Sequence, residues 1–395
     1  MQEGVSAGQD ALARVHVRPG GRHGRTPHHF QASTTASLMV GVLSFHDSTG
    51  HHLHRREWLR RLYETSPPSV DVRFVMAADE PVSDARQQDV LLFNVSSVHR
   101  ATISKFLLQN AFFRHAVALN SHDFVARADD DAVVNVTQVA LSLVALQAKL
   151  TASAFVIFGP FHNFYSWDPV SMDASCWSYG LGAYRQALAR FRDAKKLPNT
   201  STAEVLRYAR TLPAKEVHPC LRLEGPYPFA AGPFIAYSRP LARWVLRHLG
   251  DSERYVIEER PRMELVRPVD GLLVQPNDTA HPASQVFKEE VYWAYLIWQG
   301  LALKPIYLVH APMSEYKLVR QPEHLLRDAV VFHRMVLPEH FEHVATSGYL
   351  ATQWATAFPA NCDGGKLGSW LNLSTGCCLH WQSCTLQGMK ARSVG

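Results

Sequence analysis

Between residues 37 and 148 the chain alternates strand-like and helix-like apolar patterns, and this restricts its possible folds more than any other feature. "SLMVGVLSF" (Ser37–Phe45) is a continuous apolar run of strand length. That is the pattern of a strand covered on both faces of a parallel sheet. "HRREWLRRLYE" (His54–Glu64) spaces Trp58, Leu59 and Leu62 along one side of a helix. "VDVRFVM" (Val70–Met76) alternates as a strand, and "DVLLFNV" (Asp89–Val95) follows as another. Ile103, Phe106, Leu107, Phe113 and Val117 mark an amphipathic helix, and "FVARA" (Phe124–Ala128) is a further strand. Val136, Val139, Ala140, Leu143 and Leu146 mark the next helix. Strand, helix, strand, strand, helix, strand in about 100 residues predicts an α/β fold with a mostly parallel central sheet flanked by helices.

In open sheets of this kind, ligands bind beyond the carboxyl ends of the strands. "FVARADDDAVVN" (Phe124–Asn135) sets Asp129, Asp130 and Asp131 at such an end. Three adjacent acids repel one another, and burying even one unpaired carboxylate costs several kcal/mol. A D-x-D pair presents two oxygens to one side, which suits a hard divalent cation that also binds phosphate oxygens. With a nucleotide-sugar donor, such a cation stabilises the departing diphosphate. A solvated acidic turn fits the triplet equally well. The stretch also matches the haloacid-dehalogenase phosphatase pattern D-x-D-x-[TV] on Asp129, Asp131 and Val133, with Asp129 as nucleophile. That motif ends the first strand of its domain, whereas at least three candidate strands come earlier here.

The second half is less regular. Ala154–Phe161 and Pro228–Ser238 are expected as strands, Leu241–Leu249 as a short helix and Lys304–His310 as a last strand. Glu253–Ala283 is rich in Pro, Arg and Asp and is expected as a long loop. Ser284–Gln299 is expected as a helix with Phe287, Val291, Ala294, Tyr295 and Trp298 on one face. Glu290 lies off that stripe. It can be a general base if its neighbours raise its pKa, or a solvated acid near a helix N-terminus. In "EGPYPFAAGPFIAYS" (Glu224–Ser238), Gly232 would admit close approach of a ligand, and Tyr227 and Phe229 can stack on a sugar face. The alternative is a Pro/Gly turn before an edge strand.

Composition narrows the setting. The chain has 395 residues, 47% of them hydrophobic, enough for a large core in one to three domains. A formal charge of +5, with no Lys/Arg block on a recognisable binding motif, argues against a nucleic-acid partner. Residues 1–36 are basic, rich in Gly, His, Ser and Thr, without periodicity, and are expected to be disordered. The six cysteines are Cys176, Cys220, Cys362, Cys377, Cys378 and Cys384, so that 346–395 forms a Cys-containing extension. No CxxC occurs, which argues against a zinc ribbon. A Cys176–Cys220 bridge and three mutual pairings of the last four cysteines are all open. Asn-x-Ser/Thr triplets at Asn94, Asn135, Asn199, Asn277 and Asn372 tilt the reading towards the secretory pathway. Asn135 sits too near Asp131 to carry a glycan. Gln31–Phe45 and Ala132–Ala148 are too short to cross a bilayer, and no signal peptide opens the chain. Membrane attachment is therefore expected only through a segment not visible in this chain, and a truncated start would explain its absence.

Six segments in order resemble glycosyltransferase family 31, the inverting β-1,3-glycosyltransferases of GT-A fold. "HLHRREWLRRLY" resembles R-x-x-I-R-x-T-W, with Arg56 and Trp58 matching and Glu57 for Thr. "DVLLFNV" resembles D-I-L-x-x-D-F, and "SKFLLQNAFF" resembles L-K-T-L-x-x-x-x-W. "FVARADDDAVVN" is similar to V-x-K-x-D-D-D-x-F-V-N, with Arg127 for Lys. "YPFAAGPFIAYSRPLA" is similar to Y-P-x-Y-x-x-G-x-G-Y-V-x-S-x-x-L, and "EEVYWAYLIWQGLALKPI" to E-D-V-Y-x-G-x-x-L-x-x-L-G-I-x-P-V. The wording is nearest to the divergent galactosyl- and N-acetylglucosaminyltransferases of trypanosomatid protozoa.

The resemblance spans residues 38–310 and implies a GT-A domain over 37–345. Its nucleotide-sugar half would cover 37–150 and its acceptor half 151–345. It implies Mn²⁺ held by Asp129 and Asp131, with His310 as a further candidate ligand. It sets Ser44, Arg55, Arg56, Asp129, Asp130 and Gly232 against the donor, and makes Glu290 the base. The implied reaction moves galactose or N-acetylglucosamine from a UDP-sugar to a hydroxyl of a glycan acceptor on protein or lipid. The implied location is the Golgi lumen, as a type II membrane protein. Glu290 stands where the family has Asp, and Trp293 is bulkier than expected. These departures motivate a second reading, a non-catalytic relative that binds UDP-sugar or glycan.

Overall fold

The computed structural model describes residues 36–45, 50–79, 87–95, 101–161, 163–168, 173–179, 182–213, 216–218, 221, 224–230, 232–249, 292–294, 296–297, 306–311, 313–315, 329–347, 349–350 and 378–380. In chain order they form β1 (Leu38–Leu43), α1 (His51–Tyr63), β2 (Val70–Ala77), β3 (Val90–Phe93), α2 (Ala101–Leu119), β4 (Phe124–Asp129), β5 (Ala132–Val134) and α3 (Val136–Lys149). There follow β6 (Phe155–Gly159), β7 (Asn163–Asp168), β8 (Asp173–Tyr179), α4 (Gly182–Ala194), α5 (Thr202–Thr211), β9 (Glu224–Phe229), β10 (Phe234–Ser238) and α6 (Arg239–His248). The last elements are β11 (Ile306–His310), β12 (Met313–Glu315), β13 (Val331–His333), α7 (Pro338–Thr346) and β14 (Cys378–His380). The class is α/β with a mixed, mostly parallel sheet, as the alternating pattern predicts.

The chain divides into two compact units. In the first, the strands run in the order β10-β4-β1-β2-β3. β4, β1, β2 and β3 are mutually parallel, and β10 is antiparallel to β4. Every residue of β1 is buried, which is why its sequence is continuously apolar. A second small sheet, β12-β13-β5, completes this unit. In the other unit β6 and β11 are parallel, β14 runs antiparallel to β11, and β7 lies between β8 and β9. α4 and α5 there enclose a small core of Leu188, Phe191, Val205 and Leu206.

Two expectations need correction, and one strand was not expected. Between the acidic triplet and α3, which begins at Val136 as its spacing predicts, lies a short strand. Asp129 still belongs to β4, and "AVV" forms β5, because these small and β-branched residues pair with the apolar β13. Pro228–Ser238 is two strands, β9 and β10, rather than one. Pro233, which separates them, has no N–H to give to a ladder. α1 begins at His51, earlier than the apolar spacing indicates, behind Gly50 at φ +74°. Of Ser284–Gln299 only 292–294 and 296–297 are described, and these are helical. Tyr292, Trp293, Ala294 and Ile297 are buried, a wider apolar face than the expected stripe. The loop expected at Glu253–Ala283, the segment 1–35 and the Cys176–Cys220 pairing lie outside the described residues or side chains. No described helix is long and apolar enough to cross a membrane.

α2 packs on β1, β2, β3 and β4, and Gly41 of β1 sets how closely. A Cβ on Gly41 would lie 2.6–2.7 Å from three ring carbons of Phe112. Phe112 is fully buried, so its ring has no space to retreat into. Gly41→Ala is expected to cost about 2 kcal/mol through overpacking, read as a lower urea midpoint.

Candidate metal centre

The path of the chain after β4 determines which acids meet. Asp129 ends β4, and Asp130 and Asp131 form a turn before β5; this turn brings Asp129 and Asp131 together and sends Asp130 to other partners. β5 then pairs antiparallel with β13, with Ala132 opposite His333. The junction is tied at both ends. Met335 N–H donates to the Asp131 carbonyl at 2.8 Å, and Asn135 N–H donates to that of Val330 at 2.8 Å. This register carries the His333 imidazole to the acids, with Nε2 3.8 Å from Asp131 Oδ1. One ligand atom each from Asp129, Asp131 and His333 lie within 4.8 Å of one another.

These residues suit a divalent cation by donor type and spacing. The Asp131 carboxyl titrates above its ordinary range. Burial is the main cause and Asp129 the next, with Asp130 adding and His333 and Lys105 opposing. Two carboxylates and an imidazole form a donor set that could hold a divalent metal ion.

Cations already stand beside Asp129. Lys105 Nζ lies 2.8 Å from each of its carboxylate oxygens and hydrogen-bonds Oδ2. Arg127, fully buried on β4, has Nη1 3.8 Å from Oδ1.

Asp130 belongs to a different set of contacts. Its Oδ2 accepts a 2.6 Å hydrogen bond from Ser44 Oγ and contacts His52 Nδ1. Its Oδ1 accepts from Arg55 Nη1 at 3.3 Å. Arg56 Nη1 donates to Ser44 Oγ at 2.9 Å and to the Phe45 carbonyl at 3.1 Å. Thus Ser44, Arg55 and Arg56, which the resemblance sets against a nucleotide, gather around Asp130. They do so because β1 pairs with β4 in a register that puts Leu43 opposite Asp129. The group ties the end of β1 and the first turns of α1 to the turn after β4.

Gly232 is buried in the turn before β10, and the adjacent Pro233 carbonyl accepts from Asp129 N–H at 3.1 Å. That turn braces the strand end from the other side. His310 ends β11, opposite Gly159, but its side chain is not among those described, and Glu290 is outside the described residues. The imidazole that joins Asp129 and Asp131 among the described residues is His333, which the sequence reading passed over. The available signal was "AVVFH" (Ala329–His333), a short apolar run closed by a ligand-type residue. Tyr63 was also missed. Its hydroxyl accepts the Val134 N–H at 3.2 Å, fixing β5 to the end of α1, and burial pushes it up to about 12.

Asn135 caps α3. Its Oδ1 accepts from Gln138 N–H and its Nδ2 donates to the Leu350 carbonyl, both at 3.0 Å. The side chain is committed inside the fold and is closed to a glycan, whereas Asn94 and Asn199 are exposed. Comparison with family models and with curated proteins finds no match.

Proposed function

We propose that the chain is an inverting, metal-dependent glycosyltransferase of GT-A type that moves galactose or N-acetylglucosamine from a UDP-sugar to a glycan hydroxyl, forming a β-1,3 linkage. The observation that carries this reading is the convergence of Asp129, Asp131 and His333 at the carboxyl end of β4. In a parallel sheet that is the end at which ligands bind. The resemblance to family 31 supplies the chemistry such a site would serve.

Asp129, Asp131 and His333 would hold the cation. A bound Mn²⁺ neutralises the charge that grows on the diphosphate as it leaves. The network of Ser44, Arg55, Arg56 and Asp130 fixes the neighbouring strand end and carries cationic groups beside the nucleotide. Glu290, assigned by the resemblance alone, would take the proton of the acceptor hydroxyl as its oxygen attacks the anomeric carbon opposite the diphosphate. One base is then enough, and the configuration inverts. Exposed sequons at Asn94 and Asn199 are consistent with a lumenal Golgi setting.

The test is a panel of UDP-sugars with simple glycan acceptors, with and without Mn²⁺. Metal-dependent UDP release from UDP-galactose or UDP-N-acetylglucosamine, with a glycosylated product, is expected. UDP binding without turnover would replace this reading with the non-catalytic one. Neither binding nor release would remove both.

A further inference from the structure

We infer that Lys105 is a built-in counter-cation that holds Mn²⁺ affinity low until a diphosphate is present, so that metal and nucleotide bind cooperatively. The inference rests on the metal site proposed above and concerns the order in which it fills.

Charge balance carries it. Asp129 and Asp131 bring two negative charges to the site. Lys105 sits against both oxygens of Asp129 at 2.8 Å, and the Arg127 guanidinium lies 3.8 Å from Oδ1. The charge of Asp130 is answered separately by Arg55. The site is therefore close to neutral before any metal arrives.

A divalent ion at Asp129 meets a carboxylate already paired with an ammonium, and then lies beside that ammonium. The side chains of Lys105 and Asp129 are 23% and 17% exposed, so water screens this repulsion only in part. A diphosphate cancels the surplus charge, and the ammonium gains a new partner. Lys105 suits that exchange. It projects from α2 on a flexible four-carbon stem with a rotatable, point-like charge, and it retains access to solvent. Lys105 hydrogen-bonds Oδ2 and lies against Oδ1 at the same 2.8 Å, so its ammonium must shift along the carboxylate before Oδ1 can coordinate. By linkage, whatever factor UDP adds to Mn²⁺ affinity, Mn²⁺ adds to UDP affinity.

The experiment measures Mn²⁺ binding from the free-ion paramagnetic resonance signal, with and without UDP. It uses the full chain as wild type, Lys105→Gln, Lys105→Arg and Asp131→Ala, each checked for folding by circular dichroism. In the wild type, saturating UDP is expected to tighten Mn²⁺ binding about tenfold or more. Lys105→Gln is expected to bind Mn²⁺ alone about tenfold more tightly than wild type and to lose most of the UDP enhancement. Lys105→Arg keeps the charge and the wild-type pattern. Wild-type Mn²⁺ affinity that is indifferent to UDP overturns the inference, even if Lys105→Gln does not fold. An unchanged or weaker affinity in folded Lys105→Gln does the same. If binding is lost in Asp131→Ala but unaffected at Lys105, the metal site stands and only the role of Lys105 falls. If no variant binds Mn²⁺ with or without UDP, both fall.

Discussion

Asp131→Ala is expected to lower UDP-sugar turnover by at least about a hundredfold and to abolish Mn²⁺ binding, while thermal stability stays level or rises. A metal's contribution to a developing diphosphate is several kcal/mol, and each 1.36 kcal/mol is about tenfold in rate. Asp131, like Asp129, belongs both to the D-x-D pattern and to the tertiary group, and the His333 Nε2 lies 3.8 Å from its Oδ1. Stability does not fall because the metal-free carboxylate is penalised by burial and by Asp129 and Asp130.

The sign of the pH effect follows. A carboxyl whose folded pKa lies above its unfolded value binds its proton more tightly in the folded state. Its contribution to the stability of the metal-free protein therefore falls as pH rises from the unfolded pKa, about 3.8–3.9, through the raised folded value. Asp131→Asn should remove that part of the pH dependence. Urea unfolding of the metal-free protein across acidic pH, beside turnover at neutral pH, checks both statements. Full turnover in Asp131→Ala at low metal would end the metal-dependent reading.

Asp130→Ala should behave in the opposite way, although it alters the next residue. It is expected to cost about 3 kcal/mol of folding stability, the range for removing one partner of a buried ionic group. The Asp130 side chain is 6% exposed and takes contacts from Ser44, His52 and Arg55. Its loss leaves the Arg55 guanidinium, 16% exposed, without that carboxylate. It also loosens the junction of β1, α1 and the turn after β4. Asp130→Asn, which keeps two acceptor lone pairs but no charge, should lose less. The readout is the urea midpoint, with Mn²⁺ binding of the folded fraction retained. A midpoint equal to wild type would show that the contacts of Asp130 contribute nothing, and loss of Mn²⁺ binding in folded protein would make it a ligand.

The contrast between these neighbours shows how far the sequence could be read. "DDD" announces acids at a strand end, but Asp130 and Asp131 fall in a turn, where strand alternation no longer says which acids face one another. Nor does the triplet say what lies beside each acid. Ser44, Arg55 and Arg56 are near in sequence to one another and remote from Asp130, and only the β1–β4 pairing brings them to it. His333 is farther still. Its run "AVVFH" is ordinary by itself, and it becomes a candidate ligand only because β13 pairs with β5 in one register. A slip of one residue would turn His333 to the opposite face.

The sequence by itself determined the class of fold and the end of the sheet that matters. Continuous apolar runs and helix-period stretches each bury their surface in one way, and an acidic triplet after "FVARA" lies at the carboxyl end of β4. Those are local properties, decided by side-chain spacing within a single element. The tertiary structure decided the membership of the site: His333 with Asp129 and Asp131, Lys105 on Asp129, and Asp130 inside the fold. Such partners are set by strand register and helix packing between distant segments, and no pattern within either segment encodes them.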